Sequence, residues 1–247
     1  MKICIWANIF QVTNDKLYGG GERQIYLFAK KAVEIGCSVV IFDDGCLCET
    51  TFEGILFKPS SFAKGLHLFK IFGFIRELSS ERADIYYCRI RSFKPVILYL
   101  ASILGKGKLL VALASDLDVS PFSDRWKYFY KHRGWKYLIR DGILTELFFP
   151  FVVKKANLVL VQNDYQLSNT NNSNKVYFGN LIDEGLWNSC EFNWENSAFV
   201  FIGSLDVRKG FESLARLVVA RPNIEFTIIG KVRDTATRIL LDSLLLL

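Results

Sequence analysis

The sequence predicts an α/β chain: one complete doubly wound domain built on a parallel sheet, followed by an incomplete second domain of the same kind. Three observations predict it. Short apolar strands alternate with amphipathic helices up to about residue 180. A glycine run, Gly19-Gly20-Gly21, separates the first strand from the first helix. After a polar stretch at 183–197, the strand–loop–helix pattern starts again.

The elements follow in order. Lys2 to Ala7 is a buried strand. A loop from Asn8 to Tyr18 leads to the glycine run, and a helix then runs to about Ile35 on apolar positions Ile25, Phe28, Ala29, Ala32 and Val33. Gly36 stops that helix, and Ser38 to Phe42 is the second strand. The strands are apolar at consecutive positions, as parallel strands covered on both faces are. Leu66 to Leu78 is helical, Asp84 to Cys88 a strand, Pro95 to Leu104 a helix, and Lys108 to Leu113 a strand with Ser115 and Asp116 just past its end. Trp126 to Arg140 and Glu146 to Lys155 are helical, and Asn157 to Val161 is a strand. A short helix near Asp164 to Leu167 and a strand at Lys175 to Phe178 close this domain, which spans 1–182. The second domain, 183–247 with its linker, offers a strand at Phe199 to Ile202, a helix at Phe211 to Ala220, a strand at Glu225 to Ile229 and an apolar, helical end. A doubly wound domain normally has about five or six strands, so the second one reads as unfinished.

Composition narrows the function. The chain is 51% hydrophobic and 15% aromatic, which excludes disorder. Its net charge of +6 suits an anionic substrate or an acidic membrane surface, and equally a basic solvated surface; it is too small to argue for nucleic acid. Six cysteines with no Cys-x-x-Cys pair fit a reducing cytoplasm, and no metal site is expected. No secretory signal and no run of about 18 uncharged apolar residues is present, so membrane contact is expected to be peripheral. His67, in an apolar helical stretch, reads as structural, and His132 as a surface residue.

Two loops could carry chemistry. Gly19 to Gly21 stand between a strand's carboxyl end and a helix N-terminus, where the backbone can approach a ligand closely and the helix favours an anion. A flexible turn explains the run equally well. The spacing matches neither a dinucleotide fingerprint nor a Walker loop, and a nicotinamide-dependent oxidoreductase would need the former. The second loop, Gly203 to Gly210, puts Arg208 and Lys209 at a helix start, where each could meet a phosphate. A solvated basic turn is the alternative. A third feature is the stretch Arg125 to Arg140, which interleaves aromatic and basic residues. Trp126, Lys127, Tyr130, Lys131, Trp135 and Lys136 are candidates for contact with a membrane or a lipid acceptor; an ordinary helix packing its rings on the core would look the same.

Taken together, Gly-Gly-x-Glu-Arg at the first helix, the block from Phe201 to Phe211 with its Gly203-Ser204-Leu205 and Lys209-Gly210-Phe211, Pro222, and Phe226 to Gly230 resemble a family 4 glycosyltransferase of GT-B fold. Val159 to Asn163 with Gln166, then Lys175 to Asp183, resemble the close of that family's first domain. The resemblance implies retaining transfer of a sugar from a nucleotide-sugar donor to a saccharide or lipid-linked acceptor in cell-surface polysaccharide or glycolipid assembly. It implies a site between two facing domains, no essential metal or other cofactor, and a cytoplasmic protein at most peripheral on the inner face of the membrane. Gly20 and Gly21 would line the donor diphosphate, and Lys209 would bind it with Arg208 beside it. Asp116 would stand by the reacting sugar.

The sequence departs from the family in two places. Ser204 stands where the family commonly has Arg. The family's later Glu-x7-Glu motif, which holds the donor sugar and ribose, does not occur before Leu247. The expectation is therefore a truncated transferase with little activity alone, or a non-catalytic acceptor-side module whose second domain a separate chain completes.

Overall fold

The computed structural model describes residues 1–10, 19–61, 68–89, 91–123, 143–182, 199–205, 209–232 and 235–244. The chain divides into two units, Met1–Glu184 and Gly185–Leu247.

The first unit is an eight-stranded sheet. Its strands are β1 (Lys2–Trp6), β2 (Ser38–Asp43), β3 (Thr50–Phe52), β4 (Ile55–Pro59), β5 (Ile85–Cys88), β6 (Lys108–Ala112), β7 (Leu158–Val161) and β8 (Lys175–Tyr177). Their order is β3-β4-β2-β1-β5-β6-β7-β8, and every pairing is parallel except β3 with β4. The helices are α1 (Gly20–Glu34), α2 (Leu68–Ser80), α3 (Lys94–Leu104), α4 (Ile143–Lys155) and α5 (Asp164–Asn169). The chain leaves β1 toward β2 and β4, then returns to pair β5 on the other side of β1. That reversal opens a crevice at the carboxyl ends of β1 and β5, where open α/β sheets take their ligands.

Both faces of the central strands β1, β2, β5, β6 and β7 are covered, which is why these strands are mostly apolar. Cys4, Trp6, Val40, Phe42, Tyr86 and Cys88 point into the core beneath α2, α3 and α4. Their neighbours Ile3, Ile5, Val39, Ile41 and Tyr87 point the other way, against Ile25, Ala29 and Ala32 of α1. Phe74 of α2 meets Trp6 at 4.8 Å and Phe42 at 5.7 Å, both edge-on. Fully burying such a side chain contributes about 2–3 kcal/mol. Gly36 ends α1 as the sequence predicts. It sits at φ +85°, donates to the Val33 carbonyl, and Cys37 donates to that of Ala32. Only glycine takes this left-handed position without strain. Five cysteines are free thiols: Cys4, Cys37, Cys46, Cys48 and Cys88; Cys190 and the two histidines lie outside the described residues.

Glu81, just past α2, binds Lys2 at the start of β1 at 2.6 Å and Lys58 near the end of β4 at 2.9 Å, which ties the end of α2 to both strands. Burial pushes the Glu81 carboxyl up, but hydrogen bonds and charge from both lysines outweigh it and hold it below the usual range. A carboxyl depressed in the fold stabilises it above the carboxylate range and loses that effect as pH falls through the depressed value. Denaturation midpoints of wild type and Glu81→Gln should therefore differ by a constant amount near neutrality and converge in acid. A pH-independent difference would contradict this.

The second unit holds β9 (Phe199–Ile202) and β10 (Phe226–Ile229), paired in parallel, with α6 (Phe211–Ala220) and α7 (Thr235–Leu244). Phe211 and Ala215 are buried, but Phe199, Val200, Ile202 and Ile229 are all more than half exposed. Gly230 is fixed by close approach, since a Cβ there would stand 1.8 Å from the Gly203 carbonyl oxygen.

Candidate functional site

The carboxyl end of β1 is held by one buried carboxylate. Asp43 ends β2 and is 1% exposed. Its Oδ2 accepts from the backbone N–H groups of Ile9 and Phe10, the latter at 2.7 Å, and its Oδ1 from Gly45 N–H at 2.7 Å. Asp43 thus fixes the start of the loop that runs from β1 toward Gly19. Beside it, Asp44 accepts from Trp6 Nε1 at 3.1 Å and pairs with Lys94 at 3.1 Å. Lys94 also donates to the side-chain oxygen of Asn8 at 2.9 Å and lies 4.4 Å from the Trp6 ring centroid. Burial lowers the Lys94 amine. Burial raises Asp44, but the Lys94 charge and hydrogen bonds from Trp6, Ser60 and Lys94 outweigh it and leave its carboxyl below the usual range.

Gly20 and Gly21 form the first turn of α1, with Gly19 as N-cap and no side chain capping it. The sequence expected a glycine loop ahead of the helix; the helix instead begins inside the run. Among the described residues, a Cβ at Gly20 or Gly21 would meet nothing within 4 Å. Helix N-termini carry unpaired N–H groups and partial positive charge, and Glu22 supplies an acidic residue in the same turn. One turn further on, Gln24 is fixed by two bonds to Leu181. Its Nε2 donates to the Leu181 carbonyl at 2.8 Å, and its Oε1 accepts from Leu181 N–H at 2.7 Å. Next to Leu181, Asn180 accepts from Arg89 Nη2 at 2.6 Å and from Gln162 Nε2 at 3.1 Å.

Asp116 lies past the end of β6, on an exposed turn of 3-10 helix, Asp116–Asp118. Asn163 Nδ2 and Gln166 Nε2 donate to its Oδ1 at 2.9 and 3.1 Å. Among the described residues, its Oδ2 takes no hydrogen bond. The turn is braced from below. Asp118 accepts from Ala114 and Ser115 N–H groups at 2.8 and 3.1 Å, and Arg91 Nη1 donates to the Asp118 carbonyl at 2.9 Å. Arg91 also pairs with Glu146 of α4 at 2.6 Å, with both side chains under 10% exposed.

In the second unit, Lys209 is exposed and precedes Gly210, the left-handed N-cap of α6 at φ +74°. Leu205 is buried and bridges to Val232, which fixes the other end of this loop. Arg208 and the candidates Trp126, Lys127, Tyr130, Lys131, Trp135 and Lys136 lie outside the described residues. Among the described residues, no cluster of His, Cys, Asp and Glu could hold a metal, and no helix is long and apolar enough to cross a membrane.

In the first unit, then, the structure places Gly20, Gly21 and Asp116 at the carboxyl edge of one sheet. Of the residues that organise this edge, Asn163, Gln166 and Asn180 fall in the stretch that resembles the close of the family's first domain, without a role assigned to them, whereas Asp43 and Arg89 escaped the sequence reading, because lone polar residues at strand ends carry no spacing signal.

No protein-family model matches the chain, and no curated protein matches its sequence. Solved structures match its shape. Anabaena Alr3699/HepE in complex with UDP and glucose matches with a TM-score of 0.62 at 16% identity, over 100% of this chain and 65% of that one. The fold is a GT-B-like glycosyltransferase fold. The same protein in complex with UDP-glucose matches with a TM-score of 0.54 at 12% identity, over 97% of this chain and 71% of that one. At these identities the likeness speaks for the fold alone, and the chain spans 65% of the first neighbour's length.

Proposed function

We propose that this chain binds a nucleoside-diphosphate sugar and serves retaining sugar transfer to a saccharide or lipid-linked acceptor in cell-surface polysaccharide or glycolipid assembly. The observation that carries the reading is the whole-chain likeness in fold to a protein whose structures hold UDP with glucose and UDP-glucose. Two loops, one in each unit, suit phosphate: the first turn of α1 at Gly20 and Gly21, and Lys209 at the start of α6. Breaking the glycosidic bond leaves added negative charge on the departing nucleoside diphosphate, and a fixed cation stabilises it more in the transition state than in the ground state. Lys209 takes that role. Asp116 is the carboxylate assigned to the sugar: its Oδ1 is oriented by Asn163 and Gln166, and its Oδ2 is turned to no protein donor among the described residues.

The test is Lys209→Ala. Removing a charge that meets a diphosphate costs about 2–4 kcal/mol, a loss of more than about thirtyfold in UDP affinity. Calorimetry giving equal UDP affinity for variant and wild type would remove Lys209 from the site.

A second reading is a non-catalytic module that docks on another chain. The observation favouring it is the exposure of apolar strand residues in the second unit, Ile202 at 76% and Phe199 at 59%. Parallel sheets are ordinarily covered on both faces. The two readings separate on nucleotide binding, which the second does not require.

A further inference from the structure

Arg89 stands immediately past β5, at the reversal between β1 and β5, and is 5% exposed. Among the described residues its hydrogen-bond partner is neutral: Nη2 donates to the side chain of Asn180 at 2.6 Å. Among the described residues no carboxylate pairs with it, and its Nε is buried with no hydrogen-bond partner. Arg91, two residues on and partly buried, differs in having a counter-charge, Glu146 at 2.6 Å. A buried guanidinium without a counter-charge is costly, and buried charges are ordinarily paired.

The surroundings say what kind of partner fits. Nε and Nη2 share one edge of the guanidinium, the edge that takes an oxyanion at two points. Of those two donors, Nε has no partner and Nη2 donates to Asn180 with one of its two hydrogens. Asn180 joins Arg89 to the loop whose Leu181 is bound from both sides by Gln24 of α1. Gly20 and Gly21 lie one turn nearer the N-terminus on the same side of α1, with no described residue within 4 Å of a Cβ built on either. Arg89 and Gln24 of α1 are thereby joined through the consecutive residues Asn180 and Leu181.

We propose that Arg89 is the anchor of an oxyanion site that takes a phosphate group of a bound ligand. The proposal rests on the transferase reading only for where that phosphate comes from: the donor's diphosphate or a phosphorylated second substrate.

The experiment is thermal unfolding of the full chain, with inorganic phosphate against chloride at constant ionic strength. Bound phosphate should raise Tm by about 3 °C once its concentration exceeds the Kd about tenfold. In Arg89→Met that response should vanish. In chloride the variant should be as stable as wild type or more so, because an uncompensated charge has been removed and Asn180 still accepts from Gln162. If Arg89→Met does not fold, Arg89→Lys keeps the charge but not the two-point edge, and should bind phosphate about tenfold more weakly. A wild type indifferent to phosphate, or variants that respond as wild type does, overturns the site. Calorimetry with UDP and with glucose 1-phosphate then separates the sources. Loss of UDP affinity in the variant assigns the phosphate to the donor, and loss of glucose 1-phosphate affinity assigns it to a second substrate. The two readings fail separately: a phosphate response without binding of UDP, GDP or ADP keeps Arg89 and ends the transferase reading.

Discussion

Arg91→Met should lower the stability of the chain by about 3–5 kcal/mol, one of the two largest losses expected from a single substitution here. Arg91 and Glu146 are 8% and 7% exposed and 2.6 Å apart. Deleting the cation removes a 2.6 Å ion pair from the buried Glu146 carboxylate, and Arg91 also lies 4.9 Å from the Phe149 ring centroid. The double variant Arg91→Met, Glu146→Leu should recover most of the loss, because replacing both partners removes the buried carboxylate as well. Denaturant midpoints of the two variants and wild type measure this. The effect reaches the site, since Arg91 also donates to the Asp118 carbonyl beneath the turn that carries Asp116. A single variant within about 1 kcal/mol of wild type would show that the pair does not hold the turn.

Asp43→Ala should cost a similar amount by a different route. It leaves the N–H groups of Ile9, Phe10 and Gly45 without their acceptor, at about 1–3 kcal/mol for each buried donor and with partial relief from water. The expected loss is about 3–5 kcal/mol, seen as a lower urea midpoint with an unchanged m-value. Asp43→Asn should recover only part, since an amide offers one acceptor oxygen where the carboxylate uses both. Ile9 and Phe10 begin the loop toward Gly19, so nucleotide affinity should fall along with stability. An unchanged midpoint would mean that the β1 loop does not depend on Asp43.

Much of this fold is written in the periodicity of the chain. Strands β1, β2, β5, β6 and β7 are apolar at consecutive positions because each is covered on two faces, and that pattern is visible without coordinates. The hairpin β3–β4 is not. Its turn, Glu53-Gly54, takes positive φ at both residues, +48° and +78°. Such turns are normally marked by Asn or Asp before glycine. Here Glu53 is held instead by Tyr26 and Lys30, side chains more than twenty positions earlier. The site divides the same way. Gly20, Gly21 and Lys209 stand out because glycine and lysine at helix starts have a chemical meaning in sequence. Arg89 and Asp43 do not, because their meaning comes from what surrounds them: one buried guanidinium with a neutral partner, one buried carboxylate with three N–H donors.

The measurement closest to the central claim is calorimetric titration of the full chain with UDP, GDP and ADP. The proposed function predicts micromolar binding of one of them, on the order of −8 kcal/mol, with Lys209→Ala losing most of it. No binding to any of the three would contradict donor recognition by this chain and leave the module that docks on another protein as its function.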